Sequence, residues 1–102
     1  MMEEAKEEER TPVIEVDFNE MVSPDVVLVA RDERVRDVAG AVVHLREGMR
    51  VVVCMEDVGD NGQQEYITAS GTAARNTACD WSSHVPWCCQ IDSWGRTAHL
   101  ER

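Results

Sequence analysis

Aromatic side chains are scarce in this chain: Phe18, Tyr66, Trp81, Trp87 and Trp94 are the five among 102 residues. A core of stacked rings is thereby excluded, and each tryptophan has to be placed individually. No apolar run approaches the roughly 20 residues that a membrane span needs. Residues 1–12 carry charge where a secretory leader would carry an apolar segment. There is no Cys-x-x-Cys pair, no glycine-rich phosphate loop, no paired-histidine helix and no nucleophile elbow. Basic residues are also short, 10 against 20 acidic ones, for a formal net charge of −10.

That excess is spread along the chain. Residues 1–10 hold five acids and two bases, 11–48 eight and four, and 49–102 seven and four. Such a surface repels phosphates and anionic membranes, so direct binding to nucleic acid or membrane is not expected. It favours cationic ligands or basic protein surfaces, although charge of this size also serves simply to keep a small domain soluble. With no leader and no span in view, the cytoplasm is the expected compartment, and Cys54, Cys79, Cys88 and Cys89 are expected as free thiols.

The length suits one domain. Residues 1–12 read as a charged, flexible N-terminal arm, and 13–102 as a single globular β domain. Over 13–18 the residues alternate, with Ile14, Val16 and Phe18 on one face, which is a half-buried strand. Left as a sheet edge, it would support a homodimer by strand-edge pairing. Residues 26–30 form an apolar run suited to a strand buried on both faces.

Residues 32–47 read two ways. Val35, Val38, Val42 and Leu45 recur at helical spacing, with Asp32 to cap and Gly48 to end the segment. Its four valines and Gly40 favour instead a hairpin turning at Ala39 and Gly40. The balance tips towards a helical turn here, giving as the alternative fold an α+β domain with a helix at about 32–47 on an antiparallel sheet.

From Gly48 onward the pattern is of short strands. Met49, Val51, Val53 and Met55 share one face, as do Ile67, Ala69, Gly71 and Ala73, and then Trp87, Cys89 and Ile91. Gly71 in mid-strand marks a bulge or bend where the sheet curls. Gly95 suits a hairpin loop around 93–95, with Ala98 and Leu100 returning to the inner face. The expected fold is therefore mainly β: a small curled antiparallel sheet or barrel of five to six strands with at most one helix. In strand rhythm over roughly 48–101 it resembles the Src-homology-3-like (SH3-like) and Tudor-like barrels. No motif of those families is matched, so no functional residue follows from the resemblance.

Three constellations could carry chemistry. Cys79, His84, Cys88 and Cys89 supply zinc-ligand types within eleven residues, but adjacent cysteines on a strand face opposite ways. Asp80, Ser82, Ser83 and His84 supply the types of a nucleophilic site without the separated elements that assemble one. Neither implies a cofactor or makes an enzyme the expectation. The third constellation is aromatic and acidic. Trp94 at a hairpin tip, Trp81 in the preceding loop and Tyr66 on the outer face could converge with Asp57 or Asp92 on a cation. The expected function is thus a small acidic binding or accessory module for a basic protein surface or cationic small molecule. The alternative is an acidic decoy imitating nucleic-acid charge through Glu15, Asp17, Glu20, Asp25, Asp32, Glu33 and Asp37, diluted by Arg31, Arg34 and Arg36.

Overall fold

The structure, a computed structural model, describes residues 11–77 and 80–98. All but Thr11 and Pro12 of the expected N-terminal arm lie outside the described residues, as do Cys79, His99 and Leu100. Eight strands form: β1 (Val13–Glu15), β2 (Met21–Ser23), β3 (Val26–Ala30), β4 (Arg34–Arg36), β5 (Val42–His44), β6 (Arg50–Val58), β7 (Gln64–Arg75) and β8 (Trp87–Thr97). A single 3-10 turn, Trp81–His84, precedes β8. Six strands make one curled half-barrel sheet in the order β1-β6-β7-β8-β3-β2, and β4 and β5 make a separate two-stranded ribbon. The mainly β reading holds. Among the described residues no helix is long and apolar enough to cross a membrane.

Four features differ from expectation. The sheet is not wholly antiparallel, because β1 runs parallel to β6 with Ile14 opposite Val53. The first strand is also shorter than 13–18: after Glu15 the chain leaves the ladder, its last bond there being Val16 N–H to the Cys54 carbonyl. Residues 32–47 form the β4–β5 hairpin and no helix. Gly40, at φ +91°, makes the turn, and the Asp37 carboxylate accepts from the Ala39 and Ala41 amides. Valines prefer the pleated surface, and a glycine in the left-handed region cannot continue a helix. Gly48 does take a positive φ, +86°, but it turns the chain into β6 rather than ending a helix. Finally, 93–95 is not a hairpin: β8 runs straight through it to Thr97.

The register explains both faces. Val53, Ala69 and Trp94 stand in one row across β6, β7 and β8, and Val51, Gly71 and Ile91 in the next. Pairing slips between these rows, so Asp92 is an extra residue on β8 opposite the Ser70–Gly71 step. Gly71 is required there: a Cβ would overlap the Gln90 carbonyl and stand 2.6 Å from Cys89 Sγ. The expected bend is present, and it is a bulge.

On the inner face Ile14, Val27, Leu45, Val51, Val53, Ala69, Ala73, Trp87, Cys89 and Ile91 make the core. A smaller cluster of Leu28, Val85 and Cys88 covers the other face near β3, so β3 is buried on both sides as its sequence suggested. Cys88 and Cys89 accordingly belong to different clusters. Arg75 closes the end of β7 by lying 5.0 Å over the Trp87 ring. β1 is an edge strand, and its Val13 carbonyl accepts from the Val38 amide, so the β4–β5 connection covers part of that edge.

Candidate functional site

The bulge at Asp92 decides what the open end of the core face presents. Strict alternation from Ile91 would turn Ser93 and Gly95 inward. The extra residue brings Trp94 opposite Ala69 and Arg96 opposite Ile67 instead. Trp94 thus sits on the core face yet is 52% exposed. Its ring rests on Phe18, with centroids 5.1 Å apart and planes tilted by 54°. Phe18 arrives in the loop after β1, where its amide donates to Met55 Sδ at 3.3 Å. Phe18, Met55, Ile67 and Trp94 together form a half-open apolar floor.

Charge rims that floor. Arg96 Nη2 donates to Asp57 at 2.6 Å and its Nε to Glu65 at 2.5 Å, joining the ends of β6, β7 and β8. The Arg96 hydrogen bond holds the Asp57 carboxyl below the usual carboxylate range, and the two carboxylates raise the guanidinium in turn. A cleft of about 560 Å³ runs past these groups and the Gly59–Asp60–Asn61 turn. Its volume would hold a small molecule, but the lining is mostly polar, unlike the mostly apolar pockets that enclose such ligands. Phe18 sits in a tight turn in which the Asp17 carboxylate accepts from the Asn19 amide and the Glu20 amide donates to the Asp17 carbonyl, while Asp17 and Glu20 line a separate cleft.

The expected cation pocket is not assembled in one place. Trp94 and Asp57 share the inner face. Tyr66 is on the outer face, opposite Glu56 and Thr97. Asp92 also turns outward, where Arg50 grips it at 2.5 and 3.3 Å and touches Thr72 Oγ1 on the intervening strand. Arg50 likewise holds the Asp92 carboxyl low. Trp81 is 59% exposed in the 3-10 turn, where its carbonyl contacts His84 Nδ1 at 2.9 Å. Both Asp57 and Asp92 already serve an arginine, so neither presents a vacant carboxylate. Phe18, Glu65 and Arg96 complete the Trp94 floor and were not foreseen. Only knowledge of the bulge would have put Arg96 beside Trp94 on the inner face.

The other constellations resolve into packing. Ser82 is fully buried; its Oγ donates to Asp80 at 2.7 Å, and Asn76 Nδ2 donates to the Ser82 and Val85 carbonyls. Those Ser82 hydrogen bonds lower the Asp80 carboxyl. His84 turns to the Trp81 carbonyl rather than to Ser82. Burial pushes the Cys54 and Cys89 thiols up to about 11 and raises Cys88, which makes all three poor nucleophiles. Among the described residues no three His, Cys, Asp or Glu side chains gather as metal ligands. Glu15, Asp17 and Glu20 line a cleft with Arg31 and His84, whereas Asp37 is folded into its own turn.

Comparison with protein-family models, with curated proteins and with solved structures gave no match. No residue role therefore comes to this chain from a known protein.

Proposed function

We propose that this chain is a small acidic binding module that takes a basic protein segment on the open end of its core face. The observation that carries the reading is Trp94: a ring positioned by a strand bulge, backed by Phe18, and left half exposed on the same face as the Arg96–Asp57–Glu65 cluster. Exposed apolar surface with a polar rim is the usual mark of an interaction site. A lysine or arginine laid over the free face of Trp94 would gain roughly 0.5–2 kcal/mol from the ring quadrupole. The net charge of −10 steers a cationic partner in.

Arg96 has a distinct part in this reading. By occupying Asp57 and Glu65 it fixes the far wall of the site and directs an incoming cation towards Trp94. The open, polar cleft suits an extended segment better than an enclosed small molecule. Cytoplasmic residence goes with the proposal, since the buried thiols Cys54, Cys88 and Cys89 suit a reducing compartment.

The test is an NMR titration of labelled protein with a lysine- and arginine-rich peptide at several salt concentrations. Shifts centred on Trp94 Nε1–H and the Phe18 amide, lost in Trp94→Ala and weakened as salt rises, are the expected result. Saturable shifts that leave Trp94 untouched, or binding that survives Trp94→Ala in a folded protein, would sink the assignment.

A further inference from the structure

The β4–β5 ribbon stands out against the acidity of the rest of the chain. Its register pairs Arg34 with His44, Val35 with Val43 and Arg36 with Val42. Val35 and Val43 turn inward and pack on the core. The other face therefore carries Arg34, His44, Arg36 and Val42, all exposed, with Val42 at 52%. No carboxylate lies on that face between the ends of the two strands. The nearest acids lie at the ribbon's ends: Asp37 binds the Ala39 and Ala41 amides, Asp32 accepts from the Arg34 amide at 3.3 Å at the outer edge, and the exposed Glu33 precedes Arg34.

The backbone of β4 is unpaired along its other side. The Leu45 amide bonds to the Glu33 carbonyl and the Asp37 amide to the Ala41 carbonyl. In an antiparallel ladder this puts Arg34 and Arg36 at the positions whose own N–H and C=O groups point away from the partner strand. Among the described residues no strand pairs with β4 on that outer side. Arg36 thus offers both backbone groups to a neighbour, and Arg34 its carbonyl. The Arg36 guanidinium spends one donor on the Gly40 carbonyl at 2.8 Å, which holds it along the ribbon with the remaining donors free.

From this geometry we infer that β4 is an augmentation site for an acidic, extended segment of a partner protein. The segment adds as a third strand to the ribbon. Its backbone bonds Arg36 and the Arg34 carbonyl, and its side chains at alternate positions place carboxylates on Arg34 and Arg36. Alternate strand residues share a face, so a Glu-x-Glu spacing matches the two arginines, and Val42 gives the added strand an apolar neighbour on the same face. The choice of an acidic occupant rests on charge complementarity: this ribbon face is cationic on a chain whose formal charge is −10. This surface is separate from the Trp94 floor and takes the opposite charge.

The probe is a synthetic peptide of alternating Glu and Thr, titrated into labelled full-length protein and followed by amide shifts and fluorescence anisotropy. Shifts at Arg34–Arg36 and Val42–His44 are expected, with slowed exchange of the Arg36 amide. Arg34→Gln/Arg36→Gln should bind roughly tenfold more weakly or worse, because two charge-assisted contacts are lost. The same peptide N-methylated at alternate residues should fail to bind, and Arg34→Glu/Arg36→Glu should gain shifts across the β4–β5 ribbon with an alternating Lys–Thr peptide that leaves the ribbon of the unsubstituted protein unshifted. Undiminished binding by the Gln variant, equal binding of the methylated peptide, or no binding at millimolar concentration overturns the inference. So does Arg34/Arg36-dependent self-association without peptide binding, which would make a second copy the occupant.

Discussion

Trp94 stands directly across from Ala69 on the neighbouring strand, and this pairing exists because Asp92 is one residue too many for the ladder. A large ring is thereby set against the smallest side chain in its row, leaving room for Phe18 to lie against the indole. A double-mutant cycle on Phe18→Ala and Trp94→Ala should return a coupling of about 0.5–1.5 kcal/mol, as expected for a tilted aromatic pair. Urea denaturation of the four proteins measures it. A coupling indistinguishable from zero would mean that the two rings do not support one another.

Gly71→Ala tests the bulge itself. The added Cβ meets the Gln90 carbonyl and the Cys89 sulfur, neither of which can withdraw without opening the β7–β8 ladder. A loss of about 1–3 kcal/mol is expected from overpacking. It should appear as a lower urea midpoint with an unchanged slope. Ile14→Ala, which empties the core position on β1, should cost about 2–5 kcal/mol.

The thiols give a prediction on the alkaline side. Cys54 and Cys89 are raised from 9.0 to about 11 in the folded protein, chiefly by burial. A raised folded value means that the thiol form stabilises the fold below the ordinary value and that this contribution disappears as pH climbs through it towards about 11. Stability measured between pH 8 and 11 should fall, and less steeply in Cys54→Ala/Cys89→Ala. Brief iodoacetamide treatment at pH 8 should leave Cys54, Cys88 and Cys89 unlabelled until denaturant is added.

On the acid side the sign reverses. Asp57 and Asp92 are lowered by Arg96 and Arg50, so their contributions are complete above the ordinary carboxylate value and vanish as pH falls through the folded one. Both pairs are solvent-exposed, so the fall below about pH 4 should be shallow and smaller still in high salt. Arg96→Gln and Arg50→Gln should each flatten it further.

Much of this fold was legible because its strands obey a period of two. The inner-face residues of β6 and β7 and the first half of β8 follow from alternation alone, and Gly71 announced the bend. What alternation does not encode is a change of phase. Asp92 looks like any outward residue, and nothing in Ser93, Trp94 and Gly95 distinguishes a strand continuing past a bulge from a turn. The same blindness scattered the expected pocket, since the phase change separates Trp94 from Tyr66 and Asp92. At 32–47 the valine spacing satisfied both periods, and the Asp37 carboxylate with the positive φ of Gly40 decided for the hairpin. The parallel pairing of β1 was beyond reach, because partner choice between distant strands leaves no local trace.

That parallel pairing sets an order of events during synthesis. Val13 finds its register against Val52, so the earliest of these eight strands to leave the ribosome waits for a partner nearly forty residues behind it. Meanwhile β6 and β7 can close as a local hairpin as soon as both have emerged, with β8 following after the 3-10 turn. Contacts of long sequence separation form slowly because the intervening chain must first be closed into a loop. Nucleation is therefore expected in the β6–β7–β8 meander, with β1 docking last and sealing the face that Ile14 covers. A nascent chain stalled before β6 would hold Ile14 without Val53 and Phe18 without Met55, and would be the form most in need of a chaperone.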